Sequence, residues 1–435
     1  MDVVKVGLIG CGTVGTGVVR LFQDNGDLIA QRTGTRIRLV KAADKDSDKL
    51  QGLALDASML TQNAEEVLED PQINIVIELI GGINPAKEFI LKALKNGKHV
   101  VTANKALLAH HGKELFQEAQ TNKKNLFFEA SVGGGIPVIK GLREGLVGNH
   151  LRAIYGIVNG TANYILSKME LDGMDYKAAL KQAKVQGYAE ADPSLDVDGI
   201  DSAHKLVIMA SLAYGHWISL DQVYVEGIGE ITHRDIEYAQ HFGYVIKLLA
   251  IAKEKDGKIN VRVHPTFIPR HYLLSQVQGV YNAIYYVADF AGRGMFYGRG
   301  AGQNPTASAV VSDLVDIVHN IERRRLGFVL DEREQNPPEI VRIEDLECRN
   351  YIRVSAIDQP GVLARIAGIL GDHGISISSV IQKERKKGAV VPVVMMTHVA
   401  KEKDFQEAIR ELDTQSCVKS PTFRIRIEQE ESEES

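Results

Sequence analysis
Cysteine is scarce: Cys11, Cys348 and Cys417 are the three in 435 residues, and no two stand at a metal-ligating or pairing interval. A disulfide frame and a zinc site are thereby argued against, and the usage suits a reducing cytoplasm. Long apolar runs are missing as well. None reaches the roughly eighteen residues that a membrane-spanning helix requires, so no membrane role is expected. Nor is there a surplus of positive charge, because the formal net charge is −5 and the one local basic run, Lys383 to Lys387, is short. That leaves no electrostatic footprint for nucleic acid. Met1 to Gly10 passes straight into a strand-like pattern, from which we expect no signal peptide and a cytoplasmic protein.

What is present reads as an ordinary globular chain, 44% hydrophobic and 25% charged. Its length predicts roughly two to four domains, each with ample apolar area for a core. The first begins with a strand, Val3 to Ile9, followed by Gly10-Cys11-Gly12-Thr13-Val14-Gly15 and a helical run from Val18 to Phe22. This is G-x-G-x-x-G between a strand and a helix, the setting in which it binds a dinucleotide. The first glycine allows the turn, the second admits a pyrophosphate to the backbone, and the third lets helix and strand close up. Ile37 to Ala43 should be the next strand, ending on Asp44, which can accept hydrogen bonds from ribose hydroxyls. Asp44 lies 29 residues beyond Gly15, more than the usual ~20, and a polar insertion around Asp24 to Thr35 accounts for the excess. Asp44 favours NAD, whereas Lys45 beside it can meet a 2′-phosphate, so both cofactors stay open.

Ile73 to Ile80, closed by Gly81-Gly82, is a further buried strand, Pro85 to Lys95 an amphipathic helix, and His99 to Thr102 a strand leading to Ala103-Asn104-Lys105. In a doubly wound sheet the carboxyl ends of strands line the ligand crevice, so Ala103 and Lys105 are aimed at the nicotinamide end. Lys105 reads equally as a surface lysine opening a helix. Leu126 to Ala130 is expected as a strand before Ser131-Val132-Gly133-Gly134-Gly135-Ile136-Pro137. Three glycines in a row expose backbone carbonyls that can hold a hard monovalent cation with Glu129 as the carboxylate; spacing alone favours a hinge. Ala153 to Val158, then Asn159-Gly160-Thr161-Ala162-Asn163-Tyr164 and a helix to Met169 follow. From Asp221 to Pro269 we expect short strands alternating with helical pieces, then a strand over Asn282 to Asp289. The turn Gly298-Arg299-Gly300-Ala301-Gly302 should return backbone amides to the cofactor ahead of a helix over Ala307 to Glu322.

The chain is organised around Gly187 to Lys205, which holds Glu190, Asp192, Asp196, Asp198 and Asp201 before Lys205. Ile200 to Tyr214 has helix-forming composition, so Asp201 and Lys205 share one face. The helix turns apolar one turn later, which places the lysine amine near the bottom of a cleft. Burial lowers the basicity of such an amine and carboxylates restore it, so the group is held protonated and ready to give a proton. The same pair also reads as a surface ion pair worth about 0.3–0.5 kcal/mol.

Taken together, G-C-G-T-V-G, T-A-N-K at 102–105, E-A-S-V-G-G-G-I-P at 129–137, N-G-T-A-N-Y at 159–164, G-Y-A-E-A-D-P with D-G-I-D and K through 205, and G-R-G-A-G at 298–302 resemble the homoserine dehydrogenase family, in order, over about residues 3–325. The resemblance implies reversible NAD(P)-dependent interconversion of L-homoserine and L-aspartate 4-semialdehyde, a step toward threonine, methionine and isoleucine. It implies Lys205 as proton donor to the aldehyde oxygen, Lys105 as a second lysine at cofactor and substrate, Glu190 as ligand of the substrate amino group, and Asp196 and Asp201 as polar partners of substrate and lysine. It also implies a sodium-like site at Glu129 and the carbonyls of Val132, Gly134 and Ile136, in place of the hinge. Cofactor contacts would fall on Gly10, Gly12, Thr13, Val14, Gly15, Asp44, Ala103, Lys105 and Gly302.

Past an expected linker at residues 331–346, with Asn336 to Glu339 at its centre, strands at Glu347–Ile357, Ile375–Gln382, Val390–His398 and Thr422–Ile427 alternate with helices at Val362–Leu370 and Glu402–Leu412. This βαββαβ order, with Asp358-Gln359-Pro360-Gly361-Val362-Leu363 at its first turn, resembles an ACT domain. The resemblance implies an amino-acid effector, threonine first, at a subunit interface; a plain dimerisation role is the alternative. Glu428 to Ser435 reads as an acidic disordered tail. The expected architecture is α/β and α+β: a Rossmann domain over 1–130 completed by 303–330, a catalytic and dimerisation domain over 131–302, and a ferredoxin-like domain over 347–428, assembled as a homodimer or homotetramer. Two rivals are an acylating semialdehyde dehydrogenase, which needs a thiolate near the nucleotide, and a non-catalytic amino-acid sensor.

Overall fold
A computed structural model of the chain describes residues 3–319, 338–382 and 388–428. The basic run Lys383 to Lys387 and the end of the Ala307–Glu322 helix lie outside those residues. Six strands, β1 (Val3–Ile9), β2 (Arg36–Ala43), β3 (Leu60–Thr61), β4 (Ile75–Glu78), β5 (His99–Thr102) and β6 (Leu126–Phe127), form a sheet in the order 3-2-1-4-5-6. Every pairing in it is parallel. β4 and β5 are buried along their whole length, as β-branched runs covered by helices on both faces must be. This is the doubly wound order whose crevice opens at the carboxyl ends of the strands.

The polar stretch Asp24 to Thr35 is not an insertion. One helix, Thr13–Thr33, runs through it and stops where Gly34 takes φ 71° and donates its amide to Ala30 O. A longer helix, still presenting Ala30 to the interior, is what delays Asp44. Behind it packs the helix Gln303–His319, so close at Gly17 that a Cβ there would stand 2.9 Å from Gln303. The segment after 302 thus returns to the first sheet. β6 is shorter than Leu126 to Ala130, because the Glu129 amide leaves the ladder to donate to Asp313 and the chain enters the 3-10 turn Glu129–Ser131.

The second sheet carries the remaining strands: β7 (Leu151–Ile157), β8 (Tyr224–Val225), β9 (Tyr244–Lys255), β10 (Lys258–Pro269), β11 (Tyr281–Ala288), β12 (Gly292–Arg299), β13 (Glu339–Ile340), β14 (Glu347–Ile357), β15 (Ile377–Ile381), β16 (Val390–Thr397), β17 (Ala400–Lys401) and β18 (Phe423–Ile427). Its main path is 12-11-7-9-10-18-14-16-15. Asp221 to Pro269 therefore holds the short strand β8, one helix, His233–His241, and two long strands where short strands alternating with helical pieces were expected. Asp256 and Gly257 at positive φ (54° and 74°) make the two-residue turn that closes this hairpin, a pairing that Asp-Gly is suited to form.

The last segment has the expected βαββαβ order, with its strands arranged 18-14-16-15 and the helices Val362–Asp372 and Glu402–Asp413 over a core of their own. Its sheet is continuous with the preceding one, since β18 runs parallel to β10 at Thr266↔Arg426 and Phe267↔Ile427. Part of the expected linker is ordered too: Glu339 and Ile340 pair with β10. Glu428 is not the start of a tail. It is buried, pairs with Arg262, and accepts from Lys253 Nζ at 2.8 Å, because a guanidinium enclosed by two strands needs a carboxylate. Among the described residues no helix is long and apolar enough to cross a membrane.

Candidate active site
At the end of β1, Gly10 takes φ +102° and donates its amide to Ala43 O at 2.8 Å, turning the chain across the sheet. The third motif glycine is dictated by contact: a Cβ on Gly15 would stand 2.1 Å from Gly10 O. A Cβ on Gly12 would meet nothing within 4 Å, which is the open approach a phosphate needs. Gly12 is also the N-cap and supplies no side-chain cap, so the amides of the first turn, at Thr13, Val14 and Gly15, are available to an anion. Asp44 stands at the end of β2, its two oxygens accepting from Cys11 N (2.7 Å) and Asp46 N (3.0 Å). A cavity of about 560 Å³ is lined by Gly10, Gly12, Asp44, Lys45, Lys49 and Gly81. Glycines at the turn, an acid and two lysines beyond it, and this volume fit an NAD(P) nucleotide.

Beyond β4 and β5 a buried relay fixes the next wall. Glu78 accepts from Ile80 N (2.8 Å) and Thr102 Oγ1 (2.7 Å); Thr102 in turn accepts from Asn104 N (3.0 Å). Asn104 donates to Gly82 O at 2.6 Å and caps the helix Lys105–Thr121 by accepting from Leu107 N. Lys105, first residue of that helix, and Ala103 just before it are thereby held at the crevice edge.

Lys205 comes from the other sheet's layer, on the helix Ile200–Tyr214, which springs from Gly199 at φ 85°. It is 8% exposed, and its Nζ donates to Val158 O and to Asp201 Oδ2, both at 2.6 Å. The Lys105 ammonium stands 3.2 Å from the other Asp201 oxygen. Burial pushes the Asp201 carboxyl up, but Lys205 and Lys105 outweigh it and hold it well below the usual carboxylate range. One anion thus orients two ammoniums. A cavity of about 460 Å³ opens onto this cluster, lined by Lys105, Lys205, Glu190, Asp196, Arg299 and Gly302. Every residue expected around the substrate is in it.

Two participants carried no role in the sequence reading. Asn159 donates to Asp196 Oδ1 (2.7 Å) and Asp201 Oδ2 (2.9 Å) through one amide nitrogen, while its Oδ1 caps the helix Gly160–Leu171 at Ala162 N. An Asn before Gly at a strand-to-helix boundary signals the cap; the bridge to the acids is long-range and leaves no local signal. His204 is the other. Burial, then His110 beside it, pushes it down to about 4, so a neutral imidazole sits next to Lys205.

The glycine loop after Glu129 packs on the 298–302 turn: a Cβ on Gly134 would lie 2.7 Å from Gly300, and Gly135 N donates to Arg299 O at 3.3 Å. Glu129 turns its carboxylate to the amides of Ile139 (2.9 Å) and Lys140 (2.7 Å), and Ile136 O accepts from Val138 N at 2.8 Å. Burial pushes Glu129 up to about 7 and Asp313 beside it well above its ordinary value. Backbone carbonyls beside two buried acids suit a hard cation in chemistry, although Arg143 already lends these acids positive charge and the Glu129 carboxylate already accepts from two amides. No thiolate is available to the nucleotide cleft: burial, then Asp44, pushes Cys11 up to about 12, and Cys348 and Cys417 are buried in the last segment.

Family models agree along the chain. The model of the homoserine dehydrogenase NAD-binding domain matches residues 10–129, that of homoserine dehydrogenase residues 137–315, and that of the ACT domain residues 350–415. A homoserine dehydrogenase of Pseudomonas aeruginosa is 44% identical over 99% of this chain and 100% of its own. The crystal structure of a homoserine dehydrogenase from Thiobacillus denitrificans superposes with a TM-score of 0.93 at 44% identity, covering 98% of this chain and 99% of that one. A hyperthermophilic archaeal homoserine dehydrogenase mutant in complex with NADPH superposes at a TM-score of 0.62 and 28% identity, over 72% of this chain and 97% of its own.

Proposed function
The chain belongs to the homoserine dehydrogenase family, and on that premise we propose how its residues divide the work of this NAD(P)-dependent oxidoreductase. When NAD(P) is bound at the Gly10–Gly15 turn, its nicotinamide would supply or take up the hydride at the carbon that is aldehyde in L-aspartate 4-semialdehyde and alcohol in L-homoserine. Negative charge grows on the oxygen of that carbon during reduction. The Lys205 ammonium neutralises it and delivers the proton; in the oxidative direction the same amine receives it. Asp201 keeps Lys205 protonated and aimed, and Lys105 holds the cofactor side of the same oxygen. Glu190 and Asp196 take the substrate's cationic amino group.

The observation that carries this reading is Asp201, buried between Lys205 and Lys105 at the floor of the cavity that Gly302 and the end of β5 also reach. Lys205→Ala tests it. Turnover of L-homoserine, followed by cofactor absorbance, should fall by about 10³-fold with cofactor affinity retained; near-normal turnover would remove Lys205 from the chemistry.

Three finer points belong to the same proposal. The carbonyls of Val132, Gly134 and Ile136 beside Glu129 would hold a sodium-like cation, which would stiffen the loop; sodium in place of a bulky organic cation should raise the thermal midpoint. Threonine binds the ACT domain and restrains the enzyme, so initial rates should fall as it is added. The protein is a cytoplasmic homo-oligomer, consistent with the 88% exposure of Phe290 between β11 and β12; sedimentation of the full chain tests this.

A further inference from the structure
Resting on the reading above, we propose that Val280, on a loop clamped by Asn163, Ser167 and Lys247, sets the length of the substrate: it closes the cavity on the side away from Lys205 and refuses an amino alcohol one methylene longer than L-homoserine. A second cavity makes the case. A chamber of about 540 Å³ adjoins the substrate cavity and shares three lining residues with it, Tyr188, Val280 and Arg299. None of Lys105, Asp201 and Lys205 lines the chamber. The partition therefore stands away from the ammoniums, where the amino-acid end of the substrate lies when its hydroxyl is at Lys205. Tyr188 and Arg299 are long, exposed side chains, whereas Val280 is half-buried. It is also the one branched aliphatic residue among the described residues that line the substrate cavity.

Buried polar groups hold that partition from behind. Asn163, 2% exposed, points its Nδ2 at the carbonyls of Gly279 (3.0 Å), Val277 (3.2 Å) and Tyr281 (3.2 Å). Lys247 fixes which end of the amide faces the loop, since its Nζ donates to Val277 O at 2.6 Å and to Asn163 Oδ1 at 3.4 Å. Ser167, one turn along the helix Gly160–Leu171, donates to Asn163 O (2.7 Å) and accepts from Gly279 N (3.0 Å). Gly279 takes φ +61°, which lets the loop double back onto these partners. In front, Val280 O lies 3.0 Å from where a Cβ on Gly160 would stand, so the loop abuts the helix start without slack. A buried network satisfied at so many atoms is rigid, and the wall at Val280 does not yield to a longer chain. Asn163 itself lines neither cavity. It acts through Val280, as a positioning residue.

The test measures kcat/KM for L-homoserine and for L-2-amino-5-hydroxypentanoate, its homologue with one more methylene, in wild type, Val280→Ala and Asn163→Ala of the full-length protein. Wild type should prefer L-homoserine by about 10- to 200-fold, the range that one methylene commands against a fitted pocket. Val280→Ala should cut that preference by about tenfold, and Asn163→Ala by about threefold, because its loop loses the clamp. General damage to the fold lowers both substrates alike and leaves the preference unmoved, so the ratio reports the wall and not stability. A wild type that oxidises both compounds equally well would overturn the inference, as would an undiminished preference in Val280→Ala; an undiminished preference in Asn163→Ala would overturn the clamp. Each of these results leaves wild-type turnover of L-homoserine intact. Failure of the dehydrogenase reading is distinct, because it would appear as no homoserine oxidation by wild type at all.

Discussion
Asn159 shows how much a single side chain can be asked to do. Its amide oxygen caps a helix while its nitrogen binds two acids, one of which orients both lysines. Asn159→Ala should cost about 1 kcal/mol of stability from the lost cap. It should also lower kcat by about tenfold, because Asp201 loses a charge-directing bond; a variant that loses stability alone would confine Asn159 to structure. Lys247 gives a different kind of test. It is fully buried on β9, donates to Val277 O at 2.6 Å, and burial pushes it down to about 8 from an ordinary 10.5. Between those values the unfolded chain binds more protons than the folded one, so this residue's contribution to stability increases as pH rises. From pH 8 to pH 10, urea midpoints should show wild type gaining on Lys247→Met by on the order of 2 kcal/mol; parallel pH profiles would contradict the shift.

Elements explain why some of this could be read in advance and some could not. The glycine turn is local in sequence: its three glycines stand within six residues, and the third answers to the first, because a Cβ on Gly15 would strike Gly10 O. Gly15→Ala should push the Thr13–Thr33 helix off β1 and weaken cofactor binding by about 10- to 100-fold in a fluorescence titration; unchanged binding would mean that the close approach at Gly10 does not shape the site. The Asp201–Lys205 spacing, Lys105 and the acids Glu190 and Asp196 are equally local, and all line the cavity, whereas Asp192 turns to Ser194 and Asp198 does not reach it. Polarity misled at Asp24 to Thr35, because an exposed helix face and an insertion have the same composition; only the length to Gly34 and the packing of Ala30 separate them. It misled again over β9 and β10, where burial on both faces erased the alternation that marks a long strand, and the Asp256-Gly257 turn was the surviving signal. Glu428 looked like tail because its partners, Arg262 and Lys253, are far away in sequence. Long-range pairing leaves no periodicity.

At the scale of the whole molecule, the ACT segment is joined to the catalytic layer by more than a tether. β18 extends the catalytic sheet along β10. Arg426 on β18 donates to Glu402 within its own domain and to Glu226 outside it, both at 2.6 Å. Asp235, 0% exposed, caps the helix His233–His241 and accepts from Tyr351 (2.8 Å) and Arg353 (2.7 Å) on β14. Glu226 in turn begins the stretch whose Ile228 amide binds Val197 O, and Gly227 lies so near that a Cβ would be 2.5 Å from the same carbonyl. Val197 precedes Gly199 and the helix that carries Asp201 and Lys205. A chain ending at residue 345 would leave Asp235 and Arg262 as buried, unpaired charges, and breaking one such pair costs about 3–5 kcal/mol. Truncation should therefore lower the thermal midpoint by at least about 5 °C and reduce basal turnover as well as any threonine response. Scanning fluorimetry and initial rates on the truncated protein check this: an unchanged midpoint with full activity would mean that the shared sheet and its ion pairs add nothing to the catalytic layer. A truncated protein brought back to full activity by Asp235→Asn with Arg262→Met, which remove the stranded charges, would show that the loss came from charge left unpaired and not from missing strands.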